Sequence, residues 1–73
     1  MISLHDFCST CADGTSIKLS FYDINTRELI VDVVFNNAKE GAKILGVEYS
    51  YARVESFYAS GDVVCCECYV FNA

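Results

Sequence analysis

Positive charge, proline and long apolar runs are scarce or missing in this 73-residue sequence. Five lysines and arginines stand against ten aspartates and glutamates, and the formal net charge is −5. Because a phosphate backbone is held by clustered lysine and arginine, we expect no direct binding to nucleic acid. No apolar stretch approaches the roughly 18 to 20 residues that cross a bilayer, so we expect no contact with a membrane.

A secretion signal and a glycine-rich loop are also missing. The first ten residues, MISLHDFCST, contain neither the basic region nor the apolar core of a signal peptide. We therefore expect a cytoplasmic protein, whose thiols stay reduced. The four glycines are isolated, so no phosphate-binding loop follows a strand. No other motif indicates catalysis, and we expect a protein that is not an enzyme and has no cofactor.

The composition is that of a folded domain. Hydrophobic residues make up 53% of the chain and aromatic residues 14%, with no proline, which argues against intrinsic disorder. A chain of this length has room for one core, so residues 1–73 are predicted to form a single domain. Domains this small often gain stability from a metal, from disulfides or from a partner subunit.

The N-terminal segment predicts a helix over about residues 4–12. Ser3 and Asp6 have the spacing of a capping box. Apolar residues then recur from Leu4 at the i, i+3, i+4 and i+7 positions of one helical face. Gly14 follows where a left-handed residue commonly ends a helix.

Four later stretches alternate in polarity and predict strands: TSIKLSFYD, LIVDVVF, YARVESFYA and DVVCCECYVF. The turn residues between the first two, and the Ser60-Gly61 turn between the last two, predict two antiparallel hairpins. In the second strand the core-facing residues are expected to be Leu29, Val31, Val33 and Phe35.

The third strand and the segment before it need separate interpretation. A β-bulge near Glu55 and Ser56 would bring Val54 and Phe57 to the same face. Residues 38–45 predict either a short helix or an ordered loop. The predicted fold is therefore α+β with two layers and the order α-β-β-(α)-β-β, in which the N-terminal helix packs on a four-stranded antiparallel sheet of two hairpins.

The five cysteines lie in two groups, one in the helix and one in the last strand. Five is an odd number, which fits a complete disulfide framework poorly. Alternation assigns Cys66 and Cys68 to the core face and leaves Cys65 outside. A helix presenting Cys8 and Cys11 over that face could bring four thiols together, so a metal site is one alternative. We favour burial of these cysteines as small apolar side chains.

The aromatic residues exceed what one small core holds, and several fall wholly or partly on outward strand positions. Exposed tyrosine and phenylalanine are typical of protein interfaces, although pairing across strands is an alternative. An acidic rim around them would suit a partner with a basic surface. The predicted partner-binding residues are Asp23, Glu48, Glu55, Asp62, Glu67, Tyr22, Tyr51, Phe57 and Tyr69.

Three stretches, LHDFCSTCADGTSIKL, ELIVD and VESFYASGDVVCCECYV, resemble a group of small uncharacterised proteins from phages and mobile elements of Gram-positive bacteria. Their shared pattern is a short helix ending in D/N-G-T, two strands, a middle segment and a final hairpin with an acidic turn. The resemblance implies an accessory protein that acts in the host cytoplasm and inhibits a host protein, such as a CRISPR-type defence nuclease. It carries over no functional residues.

These observations predict a non-enzymatic, acidic protein-binding module, and in its most specific form an anti-CRISPR-type inhibitor of a host or defence nuclease. Two alternatives remain open: a cysteine-ligated zinc or redox protein, and a structural subunit of a homo-oligomer. The last strand is long and apolar. As an edge strand it would be a candidate for pairing with another chain, which would give a homodimer.

Overall fold

The computed structural model describes residues 2–44, 49 and 52–71. Its elements follow the predicted order, helix first, and the middle segment is helical. They are α1 (Leu4–Thr10), β1 (Ser16–Asp23), β2 (Leu29–Phe35), α2 (Ala38–Ile44), β3 (Arg53–Ser60) and β4 (Val63–Val70).

The four strands form one mixed sheet in the order β2-β1-β4-β3. Both predicted hairpins are present, because β1 pairs with β2 and β3 pairs with β4 in antiparallel fashion. The hairpins join through β1 and β4, which run parallel. The prediction of a purely antiparallel sheet is therefore wrong. The predicted edge position of the last strand is also wrong, because β4 is an inner strand and the edges are β2 and β3.

Local signals explain the first helix. The Ser3 side-chain oxygen accepts a hydrogen bond from the Asp6 backbone N–H at 3.3 Å, so Ser3 is the N-cap as predicted. The helix ends at Thr10, earlier than expected, because Cys11 is already extended. Gly14 has a φ of +79° and makes the left-handed turn into β1, a conformation that glycine adopts without steric cost.

The core lies between the helices and one face of the sheet. Side chains from β1 and from β4 alternate into it, and those from α1 and α2 close it from the other side. Its buried members are Leu4, Cys8, Ile17, Leu19, Phe21, Ala38, Ala52, Val54, Cys66, Cys68 and Val70. The predicted inward positions of Cys66 and Cys68 are thus confirmed.

The edge strand β2 departs from its predicted burial. Val33 and Phe35 pack partly against the core, whereas Leu29 and Val31 are exposed. A register shift in the pairing with β1 also places Leu29 opposite Tyr22, away from the helices. The prediction that Leu29 and Val31 are core residues is wrong, since alternation identifies a face but not whether another layer covers it.

The predicted bulge in β3 is present as a register shift between Val54 and Ser56. Beyond it, Phe57 lies opposite the buried Cys66, and its ring centroid is 5.0 Å from that of Phe7 in α1. Phe57 therefore belongs to the helix side of the sheet, and the next residue, Tyr58, points to the other side.

Candidate functional site

The sheet has a second face, turned away from the helices, which we call the outer face. In β1 and β4 its residues are exposed or half-buried, and none is fully buried. The pairing registers extend it across all four strands. It consists of Ser16, Lys18, Ser20, Tyr22, Leu29, Asp32, Val34, Arg53, Ser56, Tyr58, Ser60, Val63, Cys65, Glu67 and Tyr69.

Three tyrosines are the largest side chains of the outer face. Tyr22 and Tyr69 are neighbours on the parallel strands β1 and β4, and their ring centroids are 5.6 Å apart. Tyr58 lies on β3 opposite Cys65. The face therefore carries one pair of neighbouring rings and a third ring, Tyr58, with the row of Glu67 between them.

Arg27, in the turn between β1 and β2, fixes one end of this surface. Its Nη1 donates a hydrogen bond to the Tyr69 hydroxyl at 3.2 Å, and its guanidinium carbon lies 5.2 Å from the centroid of the same ring. Arg27 has a φ of +63°, a left-handed conformation that is uncommon for a residue other than glycine. The backbone conformation of this turn places the guanidinium where it meets Tyr69.

Two carboxylates lie in one row across the outer face. Glu67 on β4 and Asp32 on β2 both pair with Ser20 on the intervening β1. Neighbouring strands are about 4.8 Å apart, which puts the two acidic residues roughly 10 Å apart. Glu67 also accepts a hydrogen bond from the Ser56 hydroxyl at 3.2 Å. The small Ser20 leaves a gap between the two carboxylates.

The hydroxyls of Tyr22 and Tyr58 stay protonated on this face. Partial burial is the main cause that raises the pKa of Tyr22, and the charges of Glu67 and Asp32 raise it further. The pKa of Tyr58 is raised chiefly by its neighbour Cys65. At neutral pH the phenols can therefore donate hydrogen bonds. Ring faces and carboxylates together attract cationic side chains.

The structure brings three of the predicted partner-binding residues together, namely Tyr22, Glu67 and Tyr69. Phe57 lies on the opposite side of the sheet, against Phe7. Glu48 and Tyr51 lie outside the described residues. The remaining three are at the ends and edges of the sheet.

Those three acidic residues have separate settings. The Asp23 carboxylate accepts hydrogen bonds from the backbone N–H groups of Asn25 at 2.7 Å and Thr26 at 3.2 Å, so it stabilises the first hairpin turn. Glu55 is at the bulge of the edge strand β3, and Asp62 is in the turn before β4. The acidic rim around the tyrosines stays a prediction, and one of its members, Glu48, lies outside the described residues.

Sequence reasoning missed three members of the site. The outward position of Tyr58 follows from the bulge once its effect on the following residues is counted. Asp32 interrupts an apolar strand, and its place beside Glu67 depends on the parallel pairing of β1 with β4. Arg27 gave no sequence signal, since its contact with Tyr69 joins residues far apart in the chain.

The cysteines belong mainly to the other face. Cys8, Cys66 and Cys68 are buried, Cys11 and Cys65 are half-buried, and all are free thiols. Burial raises the pKa of Cys8 to about 11 and those of Cys66 and Cys68 to about 12. Nucleophilic attack uses the thiolate form, which these pKa values disfavour at neutral pH.

Within residues 2–44, 49 and 52–71, no three or more cysteine, histidine or acidic side chains are grouped so as to hold a metal ion. Neither helix in that part of the chain is long and apolar enough to span a bilayer. No family model, curated protein or solved structure matches this chain.

Proposed function

We propose that this chain is a non-enzymatic protein-binding module that docks its outer face on a basic surface of another protein. The observation that carries the proposal is the grouping of Tyr22, Tyr58 and Tyr69 with Asp32 and Glu67 on a sheet face that lies opposite both helices. Exposed tyrosines with interspersed polar groups are typical of protein interfaces.

The charge of the face selects the partner. Glu67 and Asp32 flank the Ser20 gap, and the ring faces beside them favour cations. An arginine or lysine of the partner would fit between the carboxylates, with its aliphatic stem against Tyr22. The chain as a whole carries a net charge of −5, which attracts a basic protein at long range.

The most specific form of the proposal is an inhibitor encoded by a phage or mobile element and acting in the host cytoplasm. A host or defence nuclease, including one of the CRISPR type, offers a basic nucleic-acid groove of the required charge. An acidic module seated in that groove would exclude the nucleic acid. Duplex DNA or RNA should then compete with the chain for the nuclease, because both use the same basic residues.

A ring-deletion pair tests which face binds. A partner is first captured from bacterial lysate on the immobilised chain, identified, and purified for affinity measurements. Tyr58→Ala removes an exposed ring from the outer face, whereas Phe57→Ala removes an exposed ring from the helix side of the same strand. We expect Tyr58→Ala to weaken binding about tenfold, in the range of interface hot spots, and Phe57→Ala to leave it nearly unchanged. Equal affinities for the two variants would contradict the proposal.

A charge-reversal pair tests the electrostatic component. Glu67→Lys changes the outer face, and Glu40→Lys makes the same change on the exposed side of α2. Glu67→Lys should weaken binding and flatten its dependence on salt, because a carboxylate that contacts the basic partner is lost. Glu40→Lys should change the association rate only slightly. If both variants behave alike, net charge rather than the outer face governs the interaction.

A further inference from the structure

The two edges of the sheet are built differently. The β3 edge carries a bulge between Val54 and Ser56 and polar residues along its length, both of which protect an edge from pairing with another strand. The β2 edge has a single charged residue, Asp32. Four of its seven side chains are large, apolar and exposed: Leu29 by 52%, Ile30 by 39%, Val31 by 40% and Val34 by 62%.

We propose that the free edge of β2 pairs antiparallel with β2 of a second copy of this chain. Two four-stranded sheets would then form one continuous sheet of eight strands. Such a contact is isologous, since the same strand serves as both halves of the interface. Among the described residues the sheet ends at β2, so its outward backbone groups are available for this pairing.

Charge excludes one register of this pairing. A twofold axis at Asp32 would set Asp32 directly opposite Asp32 of the second copy, and like charges in that position are destabilising. A second register, with the twofold axis at Val31, is excluded because Leu29 and Ile30 would have to pair with the second copy, and β2 is not a regular strand at those two residues. There the pairing of β2 with β1 is broken by a register shift between Phe21 and Tyr22.

A twofold axis at Val33 satisfies both conditions. It uses residues 31–35, which pair regularly with β1, and it sets Val31 opposite Phe35 of the second copy. Asp32 then lies opposite Val34 of the second copy. Because Val34 pairs with Lys18 within its own chain, each Asp32 lies in one row with Lys18 of the second copy. The arrangement therefore places opposite charges across the interface twice.

This charge complementarity favours a second copy over an unrelated strand. The contact also leaves Tyr22, Tyr58 and Tyr69 uncovered, since they lie on β1, β3 and β4. The dimer and the proposed partner surface therefore share Asp32 but not the tyrosines or Glu67. The repulsion between two chains of charge −5 is screened at physiological ionic strength.

Opposite charges introduced at Val34 test the register. In the dimer, Val34→Asp would face Asp32 of the second copy, and Val34→Lys would face it with the opposite charge. Within one chain the opposite charge is favoured at residue 34, because this residue pairs with Lys18. Aspartate there faces a lysine, and lysine there faces a like charge. A loss of dimer in Val34→Asp with an unchanged circular dichroism spectrum therefore reports the contact between the two chains.

The measurement is sedimentation velocity over a wide range of concentration, with circular dichroism to verify the fold. We expect a concentration-dependent dimer of the unmodified chain, a dissociation constant about tenfold higher for Val34→Asp, and a retained dimer for Val34→Lys. Ser60→Asp, which places the same charge on the outer face of the β3 edge, should not change dimerisation.

Three results would overturn the inference. One is an unmodified chain that stays monomeric at every concentration. Another is equal weakening by Val34→Asp and Val34→Lys, and the third is a loss of dimer in Ser60→Asp with none in Val34→Asp. Binding of the captured basic partner is measured in parallel with a second dimer variant, Val31→Asp, which would set a carboxylate against Phe35 of the second copy and does not alter the outer face. If this variant binds the partner but does not dimerise, dimerisation and partner binding are separate properties, so a failure of one proposal can be told from a failure of the other.

Discussion

The inner strands β1 and β4 present two faces whose side chains alternate along the same backbone. On the helix side, Ile17, Leu19 and Phe21 of β1 are fully buried. On the outer side, Lys18 and Tyr22 of the same strand are exposed or half-buried. The two faces therefore separate two tasks, because substitutions on one face should change folding and substitutions on the other should change recognition.

The largest expected effect is on the helix side, at Phe21. Phe21→Ala removes a fully buried ring that meets Tyr49 edge to face, with ring centroids 4.9 Å apart. A phenylalanine-to-alanine change in a core costs about 3–5 kcal/mol, while the total stability of a small domain is about 5–15 kcal/mol. We expect urea denaturation to show a loss of that size and a much lower midpoint.

Lys18→Ala provides the comparison on the outer face of the same strand. An exposed surface substitution usually changes stability by less than about 0.5 kcal/mol. If Lys18→Ala and Phe21→Ala lowered the free energy of unfolding equally, the two faces would not differ as the burial indicates. The urea m-value should stay constant in both variants, so that the midpoints report stability.

The second prediction concerns Gly41, where α2 meets the end of β2. A Cβ atom at this position would lie 2.7 Å from the Phe35 ring, closer than carbon atoms can approach. Gly41→Ala gains up to about 1 kcal/mol of helix propensity. Overpacking of this kind costs about 1–3 kcal/mol, so we expect a net loss of stability in thermal or urea denaturation.

Relief of the clash is the check on this explanation. Phe35→Ala removes the Cγ and Cδ2 atoms that a new Cβ would meet, whereas leucine would keep atoms at both places. Gly41→Ala should therefore be less destabilising in the Phe35→Ala background than in the unmodified chain, and a double-mutant cycle measures the difference. A cost that is the same in both backgrounds would show that contact with Phe35 is not its cause.

Gly41 also illustrates what the sequence could predict of the fold. The Ser3 cap, both hairpins and the β3 bulge depend on residues close in the chain, and their patterns were sufficient. A glycine inside α2 looks unfavourable by propensity alone. Its reason is a contact with Phe35, which only the packed structure reveals.

The parallel pairing of β1 with β4 could not be predicted for a similar reason. Alternation identifies a strand and its two faces but not its neighbours. Because β4 is an inner strand, the apolar strand β2 lies at an edge of the sheet. Leu29 and Val31 are then not covered by a helix and are exposed. The row from Glu67 to Asp32 depends on that same pairing. The sequence therefore predicted the types of residue that form the candidate site, tyrosine and acidic residues, but only some of the individual residues.

The third prediction has the smallest expected effect and concerns the buried thiol of Cys66 on the helix side of β4. Burial raises the pKa of Cys66 from its ordinary value of 9.0 to about 12. Below pH 9 the thiol is protonated in both the folded and the unfolded chain, so it contributes no pH dependence. Between about pH 9 and pH 12 the unfolded chain releases a proton that the folded chain retains, and rising pH favours unfolding.

Stability should therefore fall through this window, by at most about 1.4 kcal/mol per pH unit for one such thiol. Cys66→Ala should flatten the fall by up to that amount, as measured by urea denaturation between pH 8 and pH 10. Leu19→Ala is the matched comparison, because Leu19 lies opposite Cys66 and its loss opens the same core without removing a thiol. We expect Leu19→Ala to lower stability at every pH and leave the slope intact. Identical slopes in the unmodified chain and Cys66→Ala would mean that this thiol is not buried in the folded protein, and the division between the two faces of β4 would fail with it.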